Sequence, residues 1–169
     1  EKDVFFRLGW EWEVFQRGGI FSLGPSTGFY RARGRAVTRS DGGYVKSEEG
    51  LRFYIFPVEL SVTYSLAYFK NQPLVPFVRG GAGYYHFRET KGGEDNFHSG
   101  RGGYFWGGGI MLLLDLFDPR SAQSLDLDYG VNNTYLIFEY RLSTIDDFGS
   151  PGDFDLSEET WFAGLLFEY

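Results

Sequence analysis

The chain has 169 residues, of which 20% are aromatic and 24 are glycine, and its formal net charge is −7. The acidic balance and the lack of a basic patch exclude nucleic acid as an expected partner, and the absence of cysteine excludes disulfides and thiolate metal centres. The apolar run at residues 110–114 is too short for a membrane-spanning helix, which needs about 20 residues. The length predicts one domain, residues 1–169.

Seven stretches of the chain alternate apolar and polar residues, which is the period-two pattern of β-strands. In chain order they cover residues 3–15, 29–38, 52–69, 76–88, 103–115, 134–142 and 159–169. An average strand has about 5–6 residues, whereas a strand that crosses a membrane needs roughly 9–11. These lengths predict an all-β fold, a single antiparallel transmembrane β-barrel.

The segments between the strands set the predicted connections. Residues 40–50, 90–101 and 144–156 are polar and predict loops, and Asn71-Gln72-Pro73 predicts a tight turn. Asp118-Pro119 is typical of a helix start and predicts a short helix over 118–127. Short turns face the periplasm and long loops face outward. Asn71-Gln72-Pro73 is thus a predicted periplasmic turn, and counting strands onward from it predicts outer loops at 90–101 and 144–156 and places the helix in the periplasm.

Bacterial barrels have an even number of strands, so the seven clear stretches predict an eighth. Two places are open for it. It lies in residues 17–25, or it results from a split within the long region 1–50.

The polar faces of the strands point into the predicted barrel and carry six arginines and six carboxylates. They are Arg7, Glu11, Glu13, Arg31, Arg33, Arg35, Glu59, Arg79, Asp115, Glu139, Arg141 and Glu168. Buried charges are tolerated when they are paired, and the planar guanidinium suits such pairs better than an ammonium group. We predict a salt-bridged, plugged lumen. Glu59 and Arg79, at similar distances from the turn at 71–73, are predicted partners.

Glycines recur inside two predicted strands, at positions 80, 81 and 83 and at 107–109. A glycine in a strand marks a bend, a bulge or the close approach of another group. Curvature of a small barrel is the preferred interpretation. The approach of a ligand is the alternative.

Residues 57–64 (PVELSVTY) and 75–85 (VPFVRGGAGYY) resemble small outer-membrane β-barrel proteins of the OmpA, OmpW and opacity-protein type. The last residues, 164–169 (GLLFEY), resemble their closing strand. The resemblance covers most of residues 51–169, and the insertion at 115–131 departs from the simplest members. It implies the bacterial outer membrane as the location, with lipid including lipopolysaccharide as surroundings. It also implies that Phe167 and Tyr169 form a signal read by the outer-membrane assembly machinery.

Some barrels of this kind are lipid A-modifying enzymes that use a His and a Ser near the outer rim. This chain has His86, His98 and Ser99. Adjacent strand residues point in opposite directions, so His98 is poorly placed to activate Ser99. We predict no enzyme activity and no cofactor. The acids near His98 and in 144–156 lack the spacing of zinc or calcium sites, and no metal site is predicted.

Two functions of different classes remain. The first is a structural or interaction protein, a plugged barrel that displays loops outside and a helix in the periplasm, either of which could bind a protein partner. The second is a narrow conduit for small or apolar solutes, as proposed for OmpW-like members. A dense charge network in the lumen favours the first.

Overall fold

The computed structural model describes residues 4–40, 43–91, 94–148 and 157–169, and the side-chain surroundings within 5–31, 54–88, 99–148 and 157–169. This part of the chain contains eight strands and one helix. The strands are β1 (Val4–Gly9), β2 (Trp12–Gln16), β3 (Ile20–Ser40), β4 (Gly43–Ser65), β5 (Leu74–Lys91), β6 (Glu94–Leu113), β7 (Asn133–Thr144) and β8 (Glu158–Glu168), and the helix is α1 (Pro119–Tyr129).

All eight strands belong to one antiparallel sheet in the order β1-β3-β4-β5-β6-β7-β8, with β2 also paired to β3. This confirms the predicted fold class and the count of eight strands. The eighth strand arises from a split of the first predicted one, because β1 and β2 pair in succession along β3. The region 17–25 is not a separate strand, since β3 begins at Ile20. Because β1 and β2 lie one after the other along β3, the eight strands span the height of the sheet only seven times, and each span is called a crossing here.

The two ends of the sheet carry different connections. The segments 17–19, 66–73 and 114–132 lie at one end, called here the helix end, and the last residues of β3, β5 and β7 lie at the other, the loop end. The seven crossings leave β1–β2 and β8 running in the same direction. Among the described residues these two edges form no ladder with each other.

The sheet nevertheless curls far enough for side chains of its two edges to meet. The rings of Phe5 in β1 and Phe162 in β8 are 5.1 Å apart. Trp10 stacks on Tyr169 at 6.1 Å, nearer the helix end. The result is an open barrel whose seam is bridged by aromatic side chains.

Two of the three predicted loops, 40–50 and 90–101, are wrong over most of their length, because strands occupy them. β3 and β4 continue as a hairpin to the pair Ser40 and Gly43, and β5 and β6 continue to Lys91 and Glu94. Polar sequence does not prevent strand pairing, because the ladder uses backbone groups and needs no apolar face. Of the third predicted loop, Thr144 ends β7, and residues 149–156 lie outside the described part.

The predicted helix is confirmed and extends two residues further, to Tyr129. The Asp118 side chain accepts a hydrogen bond from the Ser121 backbone N–H at 3.1 Å and another from its hydroxyl at 2.7 Å. These hydrogen bonds lower the pKa of the Asp118 carboxyl. Gly130, at φ 70°, ends the helix in the left-handed conformation that suits glycine. No helix in the described ranges has the length and hydropathy needed to cross a membrane.

The two faces of the sheet are as different as the alternation predicts. Along β4, Val58 and Leu60 are 62% and 54% exposed, while Glu59 and Ser61 between them are 3% and 2% exposed. The same holds at the first edge of the sheet, where the outward side chains of Phe6, Leu8, Trp10 and Trp12 are all more than half exposed. The outer face of these strands is therefore apolar, and the inner face carries charged and polar side chains as well as apolar ones.

Candidate functional site: the interior of the barrel

Six charged side chains meet at mid-height inside the barrel and form what we call the charged layer. They are Arg7, Glu11, Glu59, Arg79, Glu139 and Arg141. They come from β1, the link between β1 and β2, β4, β5 and β7, so curling of the sheet brings together residues up to 132 positions apart. Three arginines face three glutamates, which leaves the layer without net formal charge.

Arg141 and Glu59 form the most deeply buried pair of the layer. One Arg141 Nη donates to both oxygens of Glu59 at 3.0 and 2.9 Å, and the side chains are 1% and 2% exposed. Glu59 also accepts from the Ser26 hydroxyl at 3.0 Å and from the Tyr85 hydroxyl at 2.9 Å. The Arg141 guanidinium lies 3.9 Å from the centre of the Phe105 ring, a cation–π distance. Each charge is therefore held by several partners.

Glu139 links the remaining members. It accepts from Arg141 Nε at 3.1 Å, from an Nη of Arg79, and from an Nη of Arg7 at 3.4 Å. Arg79 in turn donates to Glu11 at 2.5 Å and from its Nε to the Thr63 hydroxyl at 2.9 Å. One carboxylate thus serves three guanidinium groups, and the layer is continuous from β4 to the first edge of the sheet.

A second layer, which we call the apolar layer, fills the interior at the helix end. Val75, Phe77, Met111, Leu113 and Tyr135 pack into one buried cluster, and Leu113 is 1% exposed. Gln72 covers this end: its side chain donates to the carbonyls of Leu66 and Leu74 and accepts from the Tyr68 N–H. The interior is therefore occupied at two heights by side chains of opposite character.

Four other predicted lumen residues, whose side chains the structure describes, do not join the charged layer: Glu13, Arg31, Asp115 and Glu168. Glu13 is exposed and accepts from Gln16. Asp115 and Glu168 lie at the helix end, where they accept from the Thr134 N–H at 3.1 Å and from the Asn133 amide at 2.9 Å. Arg31 lies against Tyr54, with 5.8 Å between guanidinium and ring centre. Arg33 and Arg35 are in β3, outside the described side chains.

The predicted direct pair of Glu59 and Arg79 is wrong. Glu59 binds Arg141, and Arg79 binds Glu139 and Glu11. The register explains the error: Glu59 lies opposite Gly83, and Arg79 lies opposite Thr63, four residues nearer the turn. Glu59 precedes Asn71 by 12 residues and Arg79 follows Pro73 by only 6, so the two positions are not equally far from the turn and do not face each other across the ladder.

Sequence reasoning missed the neutral groups that complete the layer. The hydroxyls of Ser26 and Tyr85 donate to Glu59, and the hydroxyl of Thr63 accepts from Arg79. Thr63 and Tyr85 share the strand parity of the buried charges, and that parity was the available signal. Ser26 lay between the predicted strands 3–15 and 29–38, so its inward direction had no signal.

The strand glycines have separate reasons. A Cβ at Gly81 would lie 2.3 Å from the Leu60 carbonyl oxygen and 2.7 Å from the Phe105 ring. Glycine at this position therefore lets Phe105 approach and lie under Arg141. A small cavity of about 40 Å³ lies beside Glu59, Tyr85 and Arg141. Ligand pockets have volumes of about 300–1,000 Å³, so this cavity is too small for a typical small-molecule ligand.

The candidate chemical residues stay apart from the charged layer. His86 is exposed on the outer face, and the backbone of His98 pairs with Arg88 near the loop end. No group of three or more metal-ligating side chains occurs within the described ranges of the chain. Phe167 and Tyr169, the predicted assembly signal, are 47% and 67% exposed at the end of β8. Their role stays a prediction, as does the absence of catalysis.

Comparison with known proteins leaves the family open. No family model matches the chain, and no curated protein does. Two solved structures of Ail, the attachment invasion locus protein of Yersinia pestis, are similar in fold. One, in complex with the heparin analogue sucrose octasulfate, has 14% identity and a TM-score of 0.49, with 95% of this chain and 79% of that chain covered. The other has 12% identity and a TM-score of 0.42, with 98% and 94% covered. Likeness at this level carries no argument about function, and the resemblance to OmpA, OmpW and opacity proteins stays a prediction.

Proposed function

We propose that this chain is an integral barrel of the bacterial outer membrane with a closed interior, and that it serves a structural or interaction role. The observation that carries the proposal is the inversion of the two faces. An outer surface with half-exposed valines, leucines and aromatics would be costly in water, whereas hydrocarbon stabilises it. The lipid around it, including lipopolysaccharide, is the first partner. The assembly machinery is a second partner during biogenesis, through Phe167 and Tyr169.

The interior supports an interaction role over a conduit. The charged layer and the apolar layer lie at different heights, so a solute on the barrel axis would have to displace both. Displacing the charged layer would separate ion pairs in which both partners are almost fully buried, which is strongly unfavourable. The parts left to meet other molecules are the ends, where the hairpins and α1 emerge. A protein partner at one of these ends is the form of interaction we propose.

Membrane insertion is tested by extraction and gel mobility. We expect the protein to require detergent and to migrate faster in SDS before heating than after it, because the barrel stays folded until heated. Protein that is monodisperse in plain buffer would contradict the membrane location.

Closure of the interior is tested separately, by recording from the purified protein in a planar lipid bilayer. We expect no stable single-channel steps, because two layers of side chains fill the lumen. Substantial conductance would favour the conduit. Turnover of lipid A that disappears in His98→Ala would favour an enzyme.

A further inference from the structure

The outer wall of the barrel has a hollow that the charged interior does not explain. Its volume is about 530 Å³, and it lies on the membrane-facing side of β4, β5 and β6. The residues around it include Val62, Tyr64, Val78, Gly80, Trp106 and Gly108. We call this depression the outer hollow. It interrupts a wall that elsewhere carries exposed apolar side chains.

Register shows how the hollow is built. Gly80 lies between Val62 and Trp106 in one row across the sheet, and Gly108 lies beside Val78 in the next row. Two outward positions without side chains are thus diagonal neighbours. Val62, Val78 and Trp106, which are 50%, 58% and 61% exposed, stand around them. The floor is backbone and the rim is apolar side chain.

Packing of the wall does not require glycine at position 80. A Cβ at Gly80 would meet only the Phe105 carbonyl oxygen, at 3.7 Å, which is ordinary van der Waals contact. The adjacent Gly81, by contrast, has no room for a Cβ. Glycine weakens a strand relative to residues with side chains. The physical consequence of Gly80 is therefore the open space on the outer face.

The hollow offers an occupant few hydrogen bonds: Trp106 on its rim contributes an indole N–H, and Arg79, which also lines it, donates inward to Glu11, Glu139 and Thr63. The backbone of its floor is paired in the β4–β5 and β5–β6 ladders. The Tyr64 hydroxyl, the polar group of one rim residue, donates to the Gly18 carbonyl at 2.6 Å. An occupant must therefore be apolar. The volume of the hollow falls in the range of small-molecule pockets, about 300–1,000 Å³. A flexible hydrocarbon chain fits such a space.

We propose that the outer hollow binds one acyl chain of a membrane phospholipid. The inference rests on the proposed membrane location, because the surrounding apolar band then meets hydrocarbon and lipid tails are the chemistry in contact with it. The hollow differs from the rest of the band in being concave. A chain lying over Gly80 and Gly108 contacts floor and rim together, whereas a chain on a convex wall contacts one side only.

The test is titration of delipidated protein in detergent with dioleoylphosphatidylethanolamine, with bound lipid counted by native mass spectrometry. We expect one tightly bound lipid on the unmodified protein and none with the head-group compound glycerophosphoethanolamine. Gly80→Leu should weaken binding about tenfold, since the new side chain excludes a few methylene groups. Ala82→Leu adds the same bulk at the next outward position on β5 and should leave binding unchanged.

A second variant keeps the proposal testable if Gly80→Leu does not fold. Trp106→Ala removes a rim wall and should also weaken binding, while Tyr104→Ala, one outward position away, should not. Binding by Gly80→Leu equal to that of the unmodified protein would overturn the proposal, and so would no bound lipid at all. A dimer that Gly80→Leu dissociates would assign the hollow to a second copy instead. Protein that needs no detergent would overturn the proposed function itself, which separates the two failures.

Discussion

The charged layer and the apolar layer fill the same lumen by different physics. In the charged layer each group depends on particular partners: Glu139 alone accepts from three arginines, and Arg141 binds two glutamates. In the apolar layer, Leu113 and its neighbours make non-directional contacts, and another side chain of similar volume could make them too. The charged layer thus demands one arrangement of the strands, and the apolar layer demands only filled space.

The charged layer fills the lumen, but it need not add to the net stability of the barrel. Replacing a buried ion pair with apolar residues of similar volume is often neutral or stabilising, whereas removal of one partner is strongly destabilising. The charged layer is therefore better understood as a device that fixes how β1, β4, β5 and β7 meet than as a source of net stability.

The largest effect is expected from Arg141→Met, which keeps most of the side-chain length and removes the charge. Glu59 and Glu139 would lose a partner in a dry site, and the free energy of unfolding should fall by about 3–5 kcal/mol. Urea unfolding in lipid vesicles, followed by tryptophan fluorescence, measures it. Arg120→Met, on the exposed first turn of α1, is the matched control and should stay within about 0.5 kcal/mol.

A double variant sharpens this result. Arg141→Met with Glu59→Met removes both charges, and its loss should be smaller than the sum of the two single losses. Additive losses would mean that the two side chains do not act as a pair.

A loss of similar or smaller size is expected from Leu113→Ala in the apolar layer. A buried Leu→Ala change typically costs about 2–5 kcal/mol, because it removes contacts and leaves a cavity. The bilayer should stay closed to ions, since the charged layer still fills the lumen above. Leu116→Ala, half exposed at the same end, is the control. Conductance in Leu113→Ala alone would show that the apolar layer is the sole barrier.

The smallest effect is expected from Glu11→Gln at the edge of the charged layer. The Glu11 side chain is 23% exposed, and Arg79 keeps its contacts with Glu139 and Thr63. Solvent screens such a pair, so the loss should be about 1 kcal/mol. Glu13→Gln, exposed and outside the layer, should change little. A loss above about 3 kcal/mol for Glu11→Gln would mean that the rim of the layer is as dry as its centre.

For a regular strand such as β4, the sequence by itself determined which residues face in and which face out. Period-two alternation fixes the side of the sheet for each residue once one face is known to be apolar, and the exposures along β4 agree with it. It also predicted the start of the helix, because Asp118 and Pro119 are adjacent and act within its first turn. Both patterns lie within short segments of the sequence, so a single sequence is enough to recognise them.

Only the tertiary structure decided which charges meet. Glu59 and Arg79 both face the interior, as predicted. They lie at different heights along the barrel, because the strand register places Arg79 opposite Thr63, four residues from Glu59. Arg7 reaches Glu139, 132 residues away, because the sheet curls and brings the inward side chains of β1 and β7 within reach of each other. The length of the hairpins was also decided by pairing, since backbone hydrogen bonds extend the strands where the alternation has ended. Register, curling and backbone pairing depend on contacts between distant segments, which the local pattern of a single sequence does not record.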